Sequence, residues 1–253
     1  MKVAMEIPLA HLEELSEYCD YDFSFAHLLL KWGPNSPYAK FYRKQREKGR
    51  EVWLDNGFHE LGYSLPLEDL LKAAKMIHPT YFVAAEIAKD PIKTHAHVLE
   101  AAKEIARRKL PYKLVGTWQG SKRGLDLLEE ICDLVALPFR RPRQTVLTSK
   151  NSWRYHFFGI RTLDEIRRTP PRSIDTSAPI KYALYGQDME ARERRLRSPL
   201  LDYNTKLSDL MLTQVVRNIA LLKSAAKPRT WLSLGTLLRS CSLGRGTSSC
   251  MPT

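Results

Sequence analysis

Two aspartates end short apolar segments that are typical of buried strands. Asp55 ends Val-Trp-Leu-Asp, and Asp175 ends Ser-Ile-Asp. In an α/β barrel, the residue at the carboxyl end of a strand points into the active-site mouth. Two carboxyl groups that face one mouth can act on a sugar anomeric carbon, one as nucleophile and one as acid/base. We therefore predict that Asp55 and Asp175 are the catalytic pair.

Other segments end in groups that could hold a flat, polar ligand. A glutamine offers both a donor and an acceptor to the edge of a purine, a carboxylate accepts from a base amine, and a glycine lets a ligand approach the backbone. Aromatic side chains stack on bases. The substrate-binding candidates are Asn56, Gly57, Phe58, His59, Glu86, Gln119, Gly120 and Gly159.

Each of these residues also fits a simpler role. Asp55-Asn-Gly is a good turn sequence after a strand, and Asp175 could cap a helix or form an Asx turn. Glu86 and Gln119 could be solvated loop residues, and Phe58 could pack in the core. The signal lies in the combination rather than in any one residue.

Strand-like and helix-like segments alternate along most of the chain. The predicted strands are 2–7, 23–30, Val52–Asp55, 81–85, 112–117, Leu134–Pro138, 155–160 and 172–175. The predicted helices are 9–18, 37–49, 66–77, 94–109, 122–132 and 162–167, with a long final helix over 202–227. A helix is also compatible with 23–30.

This alternation predicts an α/β fold with a parallel sheet, and eight strands are the number that closes a (β/α)8 TIM-type barrel. An open doubly wound sheet is the alternative, because the first two strands are the weakest. We expect one barrel domain over 1–227, including the C-terminal helix. Ser, Gly, Arg and Thr are frequent in 233–253, and we expect 228–253 to form a poorly ordered, flexible basic tail.

The chain is strongly basic, with a formal net charge of +12 and a pI of about 9.6. Clustered positive charge favours a polyanionic partner such as nucleic acid, although a basic surface also serves solubility. The candidate phosphate-binding residues are Arg140, Arg141, Arg143, Lys150, Arg154 and Arg172.

The cysteines give no sign of a metal site. Cys19, Cys132, Cys241 and Cys250 form no C-x-x-C pair, so reduced thiols and no metal are expected. No apolar run approaches the ~20 residues that span a bilayer, and no signal-peptide pattern opens the chain. We expect a cytoplasmic protein, in the host cytoplasm if the gene belongs to a phage, without a membrane partner.

Over about residues 3–187 the chain resembles the tRNA-guanine transglycosylases. It is most similar to their DNA-directed relatives in phages and bacteria, the DpdA-type 7-deazaguanine DNA transglycosylases. The segments that resemble the family are Leu-Asp-Asn-Gly at 54–57, Val-Gly-Thr-Trp-Gln-Gly at 115–120, His-Phe-Phe-Gly-Ile at 156–160 and Ser-Ile-Asp-Thr-Ser-Ala-Pro at 173–179.

The resemblance implies a base-exchange reaction in DNA. It implies that Asp175 is the nucleophile, Asp55 the acid/base and Gln119 a contact to the base. Glu86 falls near the family's second base-binding aspartate, and Gly159 lies on its glycine-bearing strand. The expected partners are double-stranded DNA and a 7-deazaguanine base such as 7-cyano-7-deazaguanine, with a homodimer left open.

The zinc site of the tRNA enzymes is not matched, because Cys241 and Cys250 lack its spacing. No cofactor is therefore expected, and the missing zinc pattern favours DNA over tRNA as the substrate. The alternatives are a transglycosylase acting on RNA, a nucleic-acid-binding barrel without catalysis, and a glycoside hydrolase for a free sugar or nucleoside.

Overall fold

A computed structural model describes residues 1–139, 143–148, 151–160, 162–190 and 200–226 of the 253-residue chain. Within these residues, eight parallel strands form one sheet. The strands are β1 (Lys2–Ala4), β2 (Asp22–Phe25), β3 (Val52–Asp55), β4 (Tyr81–Val83), β5 (Lys113–Thr117), β6 (Leu134–Pro138), β7 (His156–Phe158) and β8 (Ser173–Asp175).

The sheet curls into a nearly closed barrel. Its order is β1-β8-β7-β6-β5-β4-β3-β2, so each strand from β2 to β7 pairs in parallel with the next one in the chain, and β8 pairs in parallel with β1. At the seam between β1 and β2, the Asp20 N–H donates to Val3 O at 2.8 Å, and the Val3 N–H donates to the Asp20 carboxylate at 2.8 Å. The predicted (β/α)8 barrel is confirmed.

Helices connect the strands, as parallel pairing requires. The helices are α1 (Leu12–Ser16), α2 (Ala26–Trp32), α3 (Pro37–Glu47), α4 (Phe58–Leu61), α5 (Leu67–Ile77), α6 (Pro91–Arg107), α7 (Lys122–Ile131), α8 (Leu163–Arg168), α9 (Ala178–Leu184) and α10 (Asp209–Ala225). No helix of the described residues is long and apolar enough to cross a membrane.

The structure corrects several of the predicted elements. The apolar run 23–30 is a strand only to Phe25 and then becomes helix α2. The final helix begins at Asp209 rather than at 202, with Ser208 accepting the Met211 N–H as its N-cap. Helix α9 was not predicted. The tail 228–253 lies outside the described residues.

Alternation along the strands fills the barrel in layers. Trp53 lies below Asp55 on β3, and His156 lies below Phe158 on β7, because residues two apart share a face. The lower layer is aromatic: the ring centroid of Trp53 is 4.5 Å from that of Tyr81 and 4.5 Å from that of His156. This dry layer supports the polar residues above it, at the carboxyl ends of the strands.

Candidate active site

A cavity of about 1070 Å³ opens at the carboxyl ends of the strands. Side chains at or just after the ends of β1, β3, β4, β5, β7 and β8 line it, as active sites of this fold are built. The cavity contains many carboxyl groups, and its walls include the aromatic side chains of Phe23, Phe25 and Phe158.

The structure brings the two predicted catalytic aspartates together. Asp55 ends β3, Asp175 ends β8, and both line the cavity while remaining only 8% and 4% exposed. The Gly57 N–H donates to Asp55 Oδ2 at 2.7 Å, and this hydrogen bond orients the Asp55 carboxyl. The two strands come from opposite parts of the sheet order, and barrel closure makes their ends meet.

Burial changes the acidity of both aspartates. It raises the pKa of Asp175 to about 8, while hydrogen bonding to its own backbone and the charge of Arg143 act in the opposite direction. Burial also raises the pKa of Asp55 to about 7. The Gly57 hydrogen bond opposes that rise, and the neighbouring carboxyls of Asp175 and Glu6 add to it. Both groups therefore change charge in the neutral range.

Two further acids, missed by the sequence analysis, face the same cavity. Glu6 follows β1 and shares the inward face of Ala4, and its pKa is raised to about 7 by burial and by Asp175, against the charge of Lys181. Glu60 lies on α4, and burial followed by the charge of Asp55 raises its pKa to about 9. The alternation of Ala4 and Glu6 was a usable signal. Glu60 had none, since α4 is a single short turn.

A hydrogen-bonded histidine was also missed. His156 Nε2 lies 2.9 Å from Asp175 Oδ1, and His156 Nδ1 lies 2.9 Å from Ser173 Oγ. His156 is fully buried, and burial lowers its pKa well below the ordinary value, as does the charge of Arg143. The imidazole is therefore neutral and links two side chains of the adjacent strand.

The two predicted base-binding residues lie side by side. Gln119 Nε2 donates to Glu86 Oε2, while the Lys89 N–H donates to Gln119 Oε1 at 3.1 Å. Glu86 is fixed in turn, because its N–H donates to Ser64 Oγ at 2.8 Å. Both side chains line the cavity and are 7% exposed. They form a preorganised polar edge across the ends of β4 and β5.

Asn56 and Gly57 shape the turn after β3. Asn56 Nδ2 donates to Ala84 O at 2.8 Å and its Oδ1 accepts the Phe58 N–H at 2.9 Å, so both ends of its amide bond backbone. Gly57 has φ +79° and does not line the cavity. Asn56 itself lines the cavity, so its contact with substrate stays a prediction, while the hydrogen bonds of Asn56 and Gly57 also position Asp55 and α4. Phe58 and His59 do line the cavity.

The two glycines of the prediction differ. Gly159 lines the cavity with φ +64°, its N–H donates to Asp175 O at 2.9 Å, and an added Cβ would lie 3.0 Å from Phe139 Cδ1. Gly120 is exposed and lies outside the lining, and its substrate contact stays a prediction.

Of the predicted phosphate-binding residues, the three that the structure describes do not form one surface. Arg143 is 1% exposed, pairs with Glu165 at 3.1 Å and donates to the carbonyls of Phe158 and Gly159. Arg154 and Arg172 precede β7 and β8, at the end of the barrel opposite the cavity. Burial removes Arg143 from the candidates for a phosphate contact, whereas Arg154 and Arg172 are exposed and their contact with nucleic acid stays a prediction. Arg140, Arg141 and Lys150 lie outside the described residues.

No group of three or more His, Cys, Asp or Glu in the described part of the chain could hold a metal ion. Cys19 and Cys132 are free thiols, and burial raises the pKa of each to about 12. Cys241 and Cys250 lie outside the described residues.

No family model matches the chain, and no curated protein matches it. Among solved structures, the tryptophan synthase alpha subunit from Legionella pneumophila str. Paris has a TM-score of 0.51 at 10% identity, covering 89% of this chain and 92% of its own. The alpha chain from L. pneumophila subsp. pneumophila also scores 0.51 at 10% identity, covering 89% and 91%. The tryptophan synthase complex from Pyrococcus furiosus has a TM-score of 0.49 at 11% identity, covering 86% and 96%. At such identity, similarity shows the barrel fold alone.

Proposed function

We propose that this protein exchanges guanine in DNA for a 7-deazaguanine base, such as 7-cyano-7-deazaguanine, through a covalent intermediate on Asp175. The main support is the placement of Asp55 and Asp175 in one cavity, with the pKa of each raised to the neutral range. A nucleophile and an acid/base for reaction at a sugar C1′ need this arrangement.

The reaction proceeds by two displacements. The target nucleotide is flipped into the cavity. An Asp175 oxygen forms a bond to C1′ while the C1′–N9 bond breaks, and Asp55 gives its proton to the departing N9. The incoming base then gives its N9 proton to Asp55, its N9 bonds to C1′, and the C1′–Asp175 bond breaks. Two inversions retain the β configuration.

The polar edge formed by Glu86 and Gln119 favours a base over a plain sugar as the bound group. The carboxylate accepts from ring N–H or amine groups, and the amide of Gln119 is fixed by its bonds to Glu86 and to the Lys89 N–H. Phe58 and His59 supply aromatic groups for stacking. The cavity volume of about 1070 Å³ accommodates a nucleotide with the base in place.

The test is base exchange in duplex DNA that carries radiolabelled guanine, with 7-cyano-7-deazaguanine added, followed by nucleoside mass spectrometry. We expect label release and deazaguanosine in the DNA, and a rate reduced at least ~10³-fold in Asp175→Asn, since a carboxamide is a poor nucleophile. Asp164→Asn is the matched control, because Asp164 is an exposed aspartate on α8.

Exchange at the native rate in Asp175→Asn would overturn the assignment. Exchange in tRNA but not in DNA would show that the protein is a transglycosylase that acts on RNA. Binding without exchange in either substrate would favour a non-catalytic barrel. Hydrolysis of a free glycoside, with binding that is independent of salt, would indicate a glycoside hydrolase.

A further inference from the structure

We propose that His156 is a positioning residue for Asp175 and that Ser173 supplies a partner for His156 Nδ1 in either tautomer of the ring. His156 holds Asp175 Oδ1, which leaves Oδ2 to form the bond to the sugar. This inference rests on the proposed function, in which Asp175 reacts at C1′.

The sheet register builds this arrangement. His156 on β7 pairs directly with Ser173 on β8, and Asp175 lies two residues further along the same strand, on the same face. The imidazole therefore spans from its direct neighbour to the next inward side chain of β8. Both contacts are 2.9 Å, from Nδ1 to Ser173 Oγ and from Nε2 to Asp175 Oδ1.

The surroundings of His156 hold its ring in place. The ring is 0% exposed, and its centroid lies 4.5 Å from that of Trp53 and 4.8 Å from that of Phe158. Because the ring is neutral, one nitrogen donates and the other accepts. A ring that cannot turn away fixes the carboxyl that it contacts.

Ser173, His156 and Asp175 form a hydrogen-bonded chain that can persist whether Asp175 is ionised or protonated. When Asp175 is ionised, Ser173 O–H donates to Nδ1 and Nε2–H donates to Oδ1. When Asp175 is protonated, Oδ1–H donates to Nε2 and Nδ1–H donates to Ser173 Oγ. In the covalent intermediate, Nε2–H donates to the ester carbonyl. In each of these states both ring nitrogens of the buried His156 keep a hydrogen-bond partner.

Other charges surround this chain and affect its titration. Asp55, Glu6 and Glu60 face Asp175 across the cavity. Behind the ring, Arg143 and Glu51 act on His156. The buried hydroxyl of Tyr21, whose ring centroid is 6.5 Å from that of His156, also feels the charge of Asp175. The experiment therefore needs a readout specific to His156.

The kinetic test compares His156→Phe, His156→Gln and Ser173→Ala. We expect kcat of His156→Phe to fall about tenfold to hundredfold with KM within twofold, since a hydrogen bond to a charged group is lost. The acid limb of its pH profile should move to higher pH. His156→Gln, which keeps a donor, should recover part of the rate, and Ser173→Ala should lose several-fold. His97→Gln on α6 is the matched control.

The second readout is the ¹⁵N spectrum of the histidines in the wild-type protein, assigned with His156→Gln. We expect a neutral His156 whose proton is on Nε2 at pH 9. An imidazolium at pH 7, a proton on Nδ1 at pH 9, or variants with unchanged kcat would overturn the proposal. If the wild type exchanges no base while the spectrum shows the expected tautomer, the proposed reaction fails and the link between His156 and Asp175 stands.

Discussion

Burial determines what Asp55 and Asp175 can do at neutral pH. An exposed aspartate is fully ionised there and cannot donate a proton. The raised pKa of Asp55, about 7, makes it an effective proton donor and acceptor. The raised pKa of Asp175, about 8, means that a minority of molecules carry an ionised Asp175 together with a protonated Asp55, the state that the proposed reaction needs.

The pH dependence of the single-turnover rate follows from these directions. The rate should rise as Asp175 loses its proton and fall as Asp55 loses its own, giving a narrow bell with apparent pKa values near 7 and 8 that belong to the coupled pair. The measurement is exchange between pH 5 and pH 10. Asp55→Asn should remove the alkaline limb from the residual rate, and a profile flat over this range would contradict the assignment of both roles.

Arg143 tests whether a basic residue that the sequence assigned to nucleic acid stabilises the fold instead. Arg143→Met breaks a buried ion pair with Glu165 and removes donors from two carbonyls at the end of β7. We expect the free energy of unfolding in urea to fall by roughly 3–5 kcal/mol. The salt dependence of DNA binding should stay unchanged. Arg154→Met, at a half-exposed side chain, is the control, and a stable variant with a reduced salt slope would restore a phosphate contact for Arg143.

The positions of the two aspartates could be predicted from the sequence because each ends an apolar or β-prone run, and such a run predicts a buried strand. His156 could not. Its role depends on the register of β7 against β8, which no local pattern encodes. The buried position of Arg143 could not be predicted for the same reason. A cluster of arginines in the sequence does not show that one of them is buried and donates to the carbonyls at the end of a strand.

At the scale of elements, apolar runs predict burial better than conformation. The segment 23–30 is mostly apolar because both β2 and much of α2 are buried, and its two polar residues, Ser24 and His27, do not mark the change at Phe25. The strands Val52–Asp55 and Leu134–Pro138 were predicted to the residue. Helix α9 begins at Ala178 with Pro179 in its first turn. Such a proline is compatible with a helix start.

The contact between β5 and α7 depends on Gly116. An added Cβ at Gly116 would lie 2.7 Å from Cys132 Sγ and 2.8 Å from Leu128 Cδ2. We expect Gly116→Ala to lower the free energy of unfolding by about 1–3 kcal/mol through overpacking. A thermal or urea transition measures the change.

Cys132→Ala provides the matched background for Gly116→Ala. Removing the sulfur opens space at the tighter contact, so the double variant should lose less stability than the sum of the two single variants. Additive losses would show that Leu128 or the backbone, rather than Cys132, resists the added methyl group.

At the scale of the whole molecule, the cavity is acidic although the chain as a whole is basic. The cavity walls carry the acids Glu6, Asp55, Glu60, Glu86 and Asp175, while the chain has a net charge of +12. An acidic cavity repels phosphates and favours a neutral base. A nucleic acid would therefore place a base inside the cavity and its backbone on basic groups outside it.

The rim offers such groups in the first turns of α6 and α7. Lys93, Lys122 and Arg123 follow the carboxyl ends of β4 and β5, beside the cavity, and all three are exposed. The two lysines form only long ion pairs on the exposed surface, which contribute little: Lys93 lies 3.4 Å from Asp90, and Lys122 lies 3.5 Å from Asp126.

Charge reversal at this rim tests the proposal that DNA binds beside the cavity. We expect Lys122→Glu combined with Arg123→Glu to weaken DNA binding and to reduce the slope of log K against log salt by about 2, because each lost phosphate contact contributes about 0.9. The matched control reverses Arg154 and Arg172, which lie before β7 and β8 at the opposite end of the barrel. Since both variants change net charge equally, a difference between them reports position rather than total charge. Equal losses would show that DNA responds to the overall field, and a larger loss in the control would place the DNA on the face remote from the cavity.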